Sequence, residues 1–171
     1  HVFIMEPGGT QLNYLKTGRS GRGTYTVTAR GVSAHSGTNP DKAISPIEEV
    51  SRQILRIKEW NDRADGLTLT PTWIRGGTKG ACMVPEEASF SMDVRAASAE
   101  LSHDADKNIK ALTPLVPGVS LRVEGGIDKP VMQGDPGLFA AAKEYGKAFG
   151  LDLQGTHIGG GSDGNFTAAA G

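Results

Sequence analysis

Ala88-Ser89-Phe90-Ser91-Met92-Asp93-Val94-Arg95 alternates without a break, with Ala, Phe, Met and Val on one side of an extended chain and Ser, Ser, Asp and Arg on the other. Successive side chains of a strand point to opposite faces, so this run predicts a strand with one apolar and one polar face. Upstream, Leu67-Thr68-Leu69-Thr70-Pro71-Thr72-Trp73-Ile74 alternates again. Its Pro71 marks an edge strand or a bulge, because proline cannot donate to a ladder. The glycine loop from Gly76 to Gly80 separates the two runs, and together they predict a hairpin. Further out lies Tyr25-Thr26-Val27-Thr28-Ala29-Arg30, a third alternating strand rich in β-branched and aromatic residues. Ala43, Ile44, Ile47, Val50, Ile54, Leu55 and Ile57 then recur at helical spacing up to Trp60. Asp41 can cap that helix, and Pro46 suits its first turn. On the other side, Ser98-Ala99-Glu100-Leu101 opens a second helix running to about Leu112, and Val119 to Glu124 reads as a fourth strand.

Residues 24–124 therefore read β-α-β-β-α-β. This order is the ferredoxin-like plan of the α+β class, an antiparallel four-stranded sheet with two helices on one face. Outside it, Val2-Phe3-Ile4-Met5 reads as a buried strand leading to Glu6-Pro7, followed by a polar, glycine-punctuated stretch to Gly23. Asp128-Lys129-Pro130 and Gly134-Asp135-Pro136-Gly137 punctuate a linker. Leu138, Phe139, Ala142, Tyr145 and Phe149 form a third amphipathic helix, and the chain closes on Gly159-Gly160-Gly161-Ser162-Asp163-Gly164-Asn165. The two ends read as parts of one other domain, with boundaries at 1–16, 17–126 and 127–171. A first residue His1, with a buried strand already under way, indicates a piece of something longer.

Composition narrows the function classes. The 171 residues carry a formal net charge of -1 with mixed signs, which excludes a nucleic acid or an anionic membrane as the main partner. No apolar run approaches the ~18 residues of a membrane span, and no export signal is visible. A cytoplasmic location is expected, with the periplasm left open because the N-terminus is missing. Cys82 stands alone, so there is neither an intramolecular disulfide nor a CxxC pair. Without a flanking base it reads as a small buried hydrophobe rather than a nucleophile.

A few residues carry chemistry. Three consecutive glycines let backbone N–H groups approach an anionic ligand, although the same run also makes a tight turn. No lysine follows in the manner of a P-loop. His35, in a loop of small and polar residues, can donate to an oxyanion or simply cap a turn. Arg95 ends its strand with a planar guanidinium that suits a carboxylate, or merely solvent. Glu6 is a suitable zinc ligand, but one carboxylate does not define a metal site.

Taken in order, Phe3-Ile4-Met5-Glu6-Pro7, Gly31-Val32-Ser33-Ala34-His35-Ser36-Gly37, Val84-Pro85 leading to Met92-Asp93-Val94-Arg95, and Gly159 to Gly164 resemble a known family. It comprises zinc-dependent exopeptidases and deacylases, among them glutamate carboxypeptidases, aminoacylases, acetylornithine deacetylases and succinyl-diaminopimelate desuccinylases. The resemblance implies an interrupted α/β catalytic domain with two zinc ions and an inserted ferredoxin-like lid that dimerises. It implies that Glu6 ligates zinc and that His35 polarises the scissile carbonyl, commonly in the partner subunit's site. Arg95 would clamp a substrate carboxylate, and Gly159, Gly160 and Gly161 would line the pocket. Asp163 and His157 receive no ligand role.

Two departures matter. Cys82 stands where glutamate carboxypeptidases often carry an asparagine before the Val-Pro turn, and if that asparagine helps bind substrate, a different substrate preference is expected here. The family's His-x-Asp motif, its bridging aspartate, its Glu-Glu pair of general base and ligand, and its C-terminal histidine ligand find no match in these 171 residues. The expected function is therefore the lid and dimerisation part of a dizinc metallopeptidase, a carboxypeptidase releasing a C-terminal amino acid such as glutamate, or a related N-acyl amino acid deacylase. Its substrate would be a peptide or N-acyl amino acid, and its partner a second copy. The piece by itself is expected to retain neither zinc nor activity. The alternative is a non-enzymatic ferredoxin-like binding or oligomerisation module.

Overall fold

The structure is a computed structural model that describes residues 4, 13–61, 64–77, 80 and 82–171. The strand expected over 2–5, apart from Ile4, and Glu6 lie outside the described residues.

The run that opened the reading is a central strand. β6 (Glu87–Ala96) lies between β4 (Leu67–Gly76) and β2 (Gly21–Arg30), and β7 (Ser120–Lys129) closes the far side, all antiparallel in the order β4-β6-β2-β7. Alternation decides its faces: Ala88, Phe90, Met92, Val94 and Ala96 are buried, and the residues between them line the polar side. α1 (Pro46–Glu59) and α2 (Ala99–Lys110) cover the apolar face, where Val50, Ile57, Ala105 and Ile109 meet Tyr25, Val27, Leu69 and Phe90. Each large side chain taken wholly out of water there stabilises by roughly 1.5–3 kcal/mol. This is the expected ferredoxin-like layout. Pro71 fits both of its predicted roles, since β4 is an edge strand and its register shifts between Pro71 and Trp73.

The helix caps correct one expectation. Asp41 lies within a short 3-10 turn (Pro40–Lys42), and Ser45 is the N-cap of α1, its hydroxyl accepting from the Glu48 N–H at 3.3 Å. Ser is favoured there because its oxygen satisfies an otherwise orphaned amide. Pro46 then takes the first helical position as expected. Ser98 caps α2 in the same way.

Glu49, on the buried side of α1, is fully enclosed, and the structure pairs its carboxylate with N–H donors rather than a cation. It accepts from Leu115 N (2.9 Å), Val116 N (2.6 Å) and Gln53 Nε2 (2.6 Å). Those bonds fasten the connection between α2 and β7 onto α1.

A second, smaller sheet joins the two ends of the described chain. β1 (Tyr14–Arg19) pairs parallel with β9 (Gln154–Ile158) and antiparallel with β8 (Met132–Gln133). α3 (Pro136–Ala148), capped by Asp135, and α4 (Gly164–Ala170) flank it. The two-residue strands β3 (Ala34–His35) and β5 (Met83–Val84) pair beyond the start of β6. No helix among the described residues is long and apolar enough to cross a membrane.

Tyr25 is buried on the helix-covered face, and its hydroxyl donates to Asp106 Oδ1 at 2.7 Å. Burial first, then the hydrogen bond to Asp106 and that carboxylate's charge, holds the Tyr25 hydroxyl well above the ordinary tyrosine range. Burial of Asp106 opposes its ionisation, but hydrogen bonds from Lys110 and Tyr25 outweigh it and leave the carboxyl below its usual range. Tyr25→Phe is expected to lower stability by about 1–2 kcal/mol in urea unfolding at pH 7. The raised Tyr25 contributes stability that is present below about pH 10 and lost as pH rises further, because the unfolded chain ionises first. Wild type should therefore lose stability above that pH more steeply than Tyr25→Phe, and parallel curves would contradict the assignment.

Candidate functional site

Arg95 stands on the polar face of β6, one residue from the strand's end. Asp93, two residues earlier and so on the same face, grips it side-on through Nε (2.7 Å) and Nη2 (3.0 Å). Nη1 donates to the Gly159 carbonyl at 3.2 Å, which brings Arg95 and the glycine turn together. Guanidinium carries five N–H groups in a rigid fork, so beyond these three bonds one hydrogen on each Nη is left to donate.

The glycine turn follows β9. The Gly160 carbonyl accepts from Nη1 of the buried Arg19 at 2.9 Å, and the Ile158 carbonyl accepts from Ser20 N at 3.0 Å. With the carbonyls so engaged, the N–H groups of Gly159, Gly160 and Gly161 meet no acceptor among the described residues. None of the three has a positive φ, and a Cβ built on Gly159 or Gly160 would meet nothing within 4 Å. Nothing within the described chain thus demands glycine at either position. The turn combines unused backbone donors, two arginines and open space, which is what an anionic group needs.

His35 sits elsewhere. Its Nδ1 accepts from Gly37 N (3.1 Å) and Thr38 N (3.2 Å), so in the neutral ring the proton resides on Nε2, which is left to donate outward. The loop is braced on both sides: β3 pairs with β5, Ser36 N and Oγ both donate to the Cys82 carbonyl, and Val32 pairs with Ile44. β5 precedes β6, so His35 lies beyond the start of that strand while Arg95 lies near its end. Eight residues of extended chain separate Glu87 from Arg95, roughly 27 Å at the usual rise. Within one chain, His35 is therefore not brought to Arg95 and the glycine turn.

Cys82 corrects an expectation. It is exposed rather than buried, and its backbone carbonyl, not its thiol, supports the His35 loop. His157 lies on β9 with Nε2 3.0 Å from the Ser20 hydroxyl, and Asp163 begins α4 without a side-chain cap bond. Among the described residues no three His, Cys, Asp or Glu side chains gather to hold a metal. The two zinc ions expected from the resemblance thus have no ligand set there, and Glu6 lies outside the described residues. Sequence reasoning gave no role to Asp93 or Arg19 and read Asn165 only as a polar group beside the turn, although Asp93 is legible from its i, i+2 spacing to Arg95.

The four-stranded ferredoxin-like sheet thus has an arginine-bound glycine turn at one end and a braced histidine at the other. Residues 17–114 match the peptidase dimerisation domain of the M20 group, and the chain belongs to that family. Among solved structures it is similar to an aminopeptidase PepT from Bacillus cereus, with 20% identity over 96% of this chain and 45% of that one and a TM-score of 0.78. A tripeptidase from Staphylococcus aureus gives 18% identity, 95% and 44% coverage and a TM-score of 0.72. A hydantoinase/carbamoylase family amidase from Burkholderia multivorans gives 20% identity, 89% and 38% coverage and 0.63. These likenesses are of fold, and the chain spans less than half the length of each. No curated protein sequence matches the chain.

Asp93→Asn keeps the shape of the Arg95 partner but leaves a single acceptor oxygen. Solvent exchange of the Arg95 Nε–H, followed by NMR, should rise about tenfold, while stability changes by under ~1 kcal/mol for so shallow a pair. An unchanged exchange rate would mean that the Gly159 carbonyl alone orients the guanidinium.

Proposed function

We propose that this chain, over residues 17–126, is the lid and dimerisation part of a metal-dependent amidohydrolase, with 1–16 and 127–171 belonging to its catalytic domain. The substrate is a peptide or N-acyl amino acid with a free carboxylate, glutamate-like in the first instance. The carboxylate docks between the remaining N–H groups of Arg95 and the amides of Gly159 to Gly161. Zinc is the metal the resemblance implies, and the described residues supply no ligand set for it. Residues beyond these therefore complete the site, and the piece alone is inactive.

The separation of His35 from Arg95 along β6 carries this reading. A histidine braced with Nε2–H outward, yet a strand's length from its own glycine turn, is suited to the site of a second copy. There it would stabilise the oxyanion that develops on the scissile carbonyl. The surface for that second copy is the edge of β4, whose outer hydrogen-bonding groups face no neighbouring strand among the described residues. Ile74 (58% exposed), Leu55 (64%) and Ile47 (42%) form an apolar border along β4 and α1. An open edge beside apolar side chains pairs readily with its own copy.

Two measurements test the reading. In light scattering after size exclusion the chain should run at twice its mass, and the double variant Leu55→Glu, Ile74→Lys should run as a monomer. A wild-type monomer at ~100 μM, where any dimer with a micromolar Kd is populated, would refute the β4 edge. N-acetyl-L-glutamate, added to about 20 mM to reveal a millimolar Kd, should shift the NMR signals of Gly159 to Gly161 and of Arg95 Nε–H. Its doubly amidated analogue should not. The non-enzymatic alternative shares the dimer but predicts no carboxylate response.

A further inference from the structure

The chain passes between the two sheets twice. It crosses at Ser20, between β1 and β2, and again at Pro130, between β7 and β8. One side chain touches both crossings. Asn165 is wholly buried, and its Nδ2 donates to the Ser20 carbonyl (3.2 Å) and the Pro130 carbonyl (2.7 Å). Its Oδ1 accepts from Ser162 N at 2.8 Å, within the turn that carries the three glycines. Ser162 returns the support through its hydroxyl, which accepts from Gly164 N at 3.0 Å.

We infer that Asn165 is a lock that holds the glycine turn and both inter-sheet crossings in one fixed relation, so that the turn's backbone and the angle between the sheets change together or not at all. The chemistry explains the residue. A carboxamide offers two donors and an acceptor in one plane, and all three are used on separate backbone segments. Aspartate would keep the shape but present acceptors to two carbonyls, and alanine would leave the buried Ser20 carbonyl and the half-buried Pro130 carbonyl without this partner. Rotation of one sheet against the other moves the crossings and strips the same groups of their partners.

Neighbouring contacts act in the same sense. Ser20 N donates to the Ile158 carbonyl, Arg19 reaches Gly160, and Arg95 spans from the four-stranded sheet to Gly159. Space beside the lock is also closed: a Cβ on Gly164 would come within 2.9 Å of Met132 Sδ. The two arginines hold carbonyls of the turn, whereas Asn165 is the side chain that joins both crossings to it. The inference concerns the relation between the sheets and holds whether or not Gly159 to Gly161 bind a carboxylate.

Spin labels on rigid helices of the two units test it. In a Cys82→Ser background, Lys58→Cys on α1 and Lys147→Cys on α3 should give one narrow distance distribution by pulsed dipolar spectroscopy. Adding Asn165→Ala or Asn165→Asp should broaden or split it while amide protection of Phe90 and Val94 in the core is retained. A distribution of unchanged width in either folded variant would overturn the lock. If neither variant folds, hydrogen exchange of the wild-type chain decides. The amides of Ser162 and Ser20 should then open in one event, with protection factors within about threefold and a common response to denaturant. Protection differing by tenfold or more, with different denaturant slopes, would show that the turn and the crossing open independently and would overturn it as well.

Discussion

The phase of β6 is the constraint on which the rest depends. Its apolar residues must face the helices, because Phe90, Met92 and Val94 form the middle of the core. A slip of one residue would turn that set to solvent and bring Asp93 and Arg95 against α1 and α2. Once the phase is set, Asp93 and Arg95 share the polar face, and the strand's direction carries them to the end nearest the second sheet. The same strand, read backwards, leads to β5 and the histidine loop. One period-2 pattern thus fixes the core, aims the guanidinium and separates the two candidate functional groups.

Elements whose own side chains make the core were legible in the sequence. β2, β4, β6, α1 and α2 each carry an apolar periodicity that burial enforces, and α3 begins within two residues of its expected start. The second sheet was not legible in the same way. Tyr14-Leu15-Lys16-Thr17-Gly18-Arg19 shows no alternation of polarity, yet it pairs on both sides. Its partners lie more than a hundred residues away, so the information is in the pairing, not in the segment. Buried polar groups hide for a related reason. Glu49, Arg19 and Asn165 look like surface residues until the backbone groups that satisfy them are placed around them. Half of the candidate site was likewise local: Arg95 and the glycine run declare themselves by residue type, whereas their contact depends on how the two sheets meet.

These buried polar residues share one solution to a costly problem. Removing a polar group from water is tolerated when every hydrogen bond it lost is replaced. Glu49 and Asn165 bind backbone amides and carbonyls in segments that are not helix or strand interiors, at the connection after α2 and at the two crossings. Side chains there take the place of ladder partners that the local chain cannot supply. This makes the connections as defined as the elements they join, and it confers a specificity of shape that apolar packing alone does not.

On the reading proposed above, His35 serves a neighbouring copy and is subject to the accumulated error of every joint between it and its target. Misplacement by about 1 Å can cost a hundredfold in rate, so few of those joints can be loose. The loop around His35 is braced accordingly, by the β3–β5 pair, the Val32–Ile44 bridge and two bonds to the Cys82 carbonyl. Gly31 removes the remaining slack, since a Cβ there would fall 2.0 Å from the Ile44 carbonyl oxygen. An edge-to-edge pairing along β4 would add a ladder, which resists shear along its whole length. Between the two sheets hydrogen bonds do the same work: Asn165 holds both crossings, Ser20 N donates to the Ile158 carbonyl, and Arg19 and Arg95 reach the glycine turn. The histidine loop and the two crossings are thus fixed by one means, hydrogen bonds to backbone segments that lie outside the four-stranded ladder.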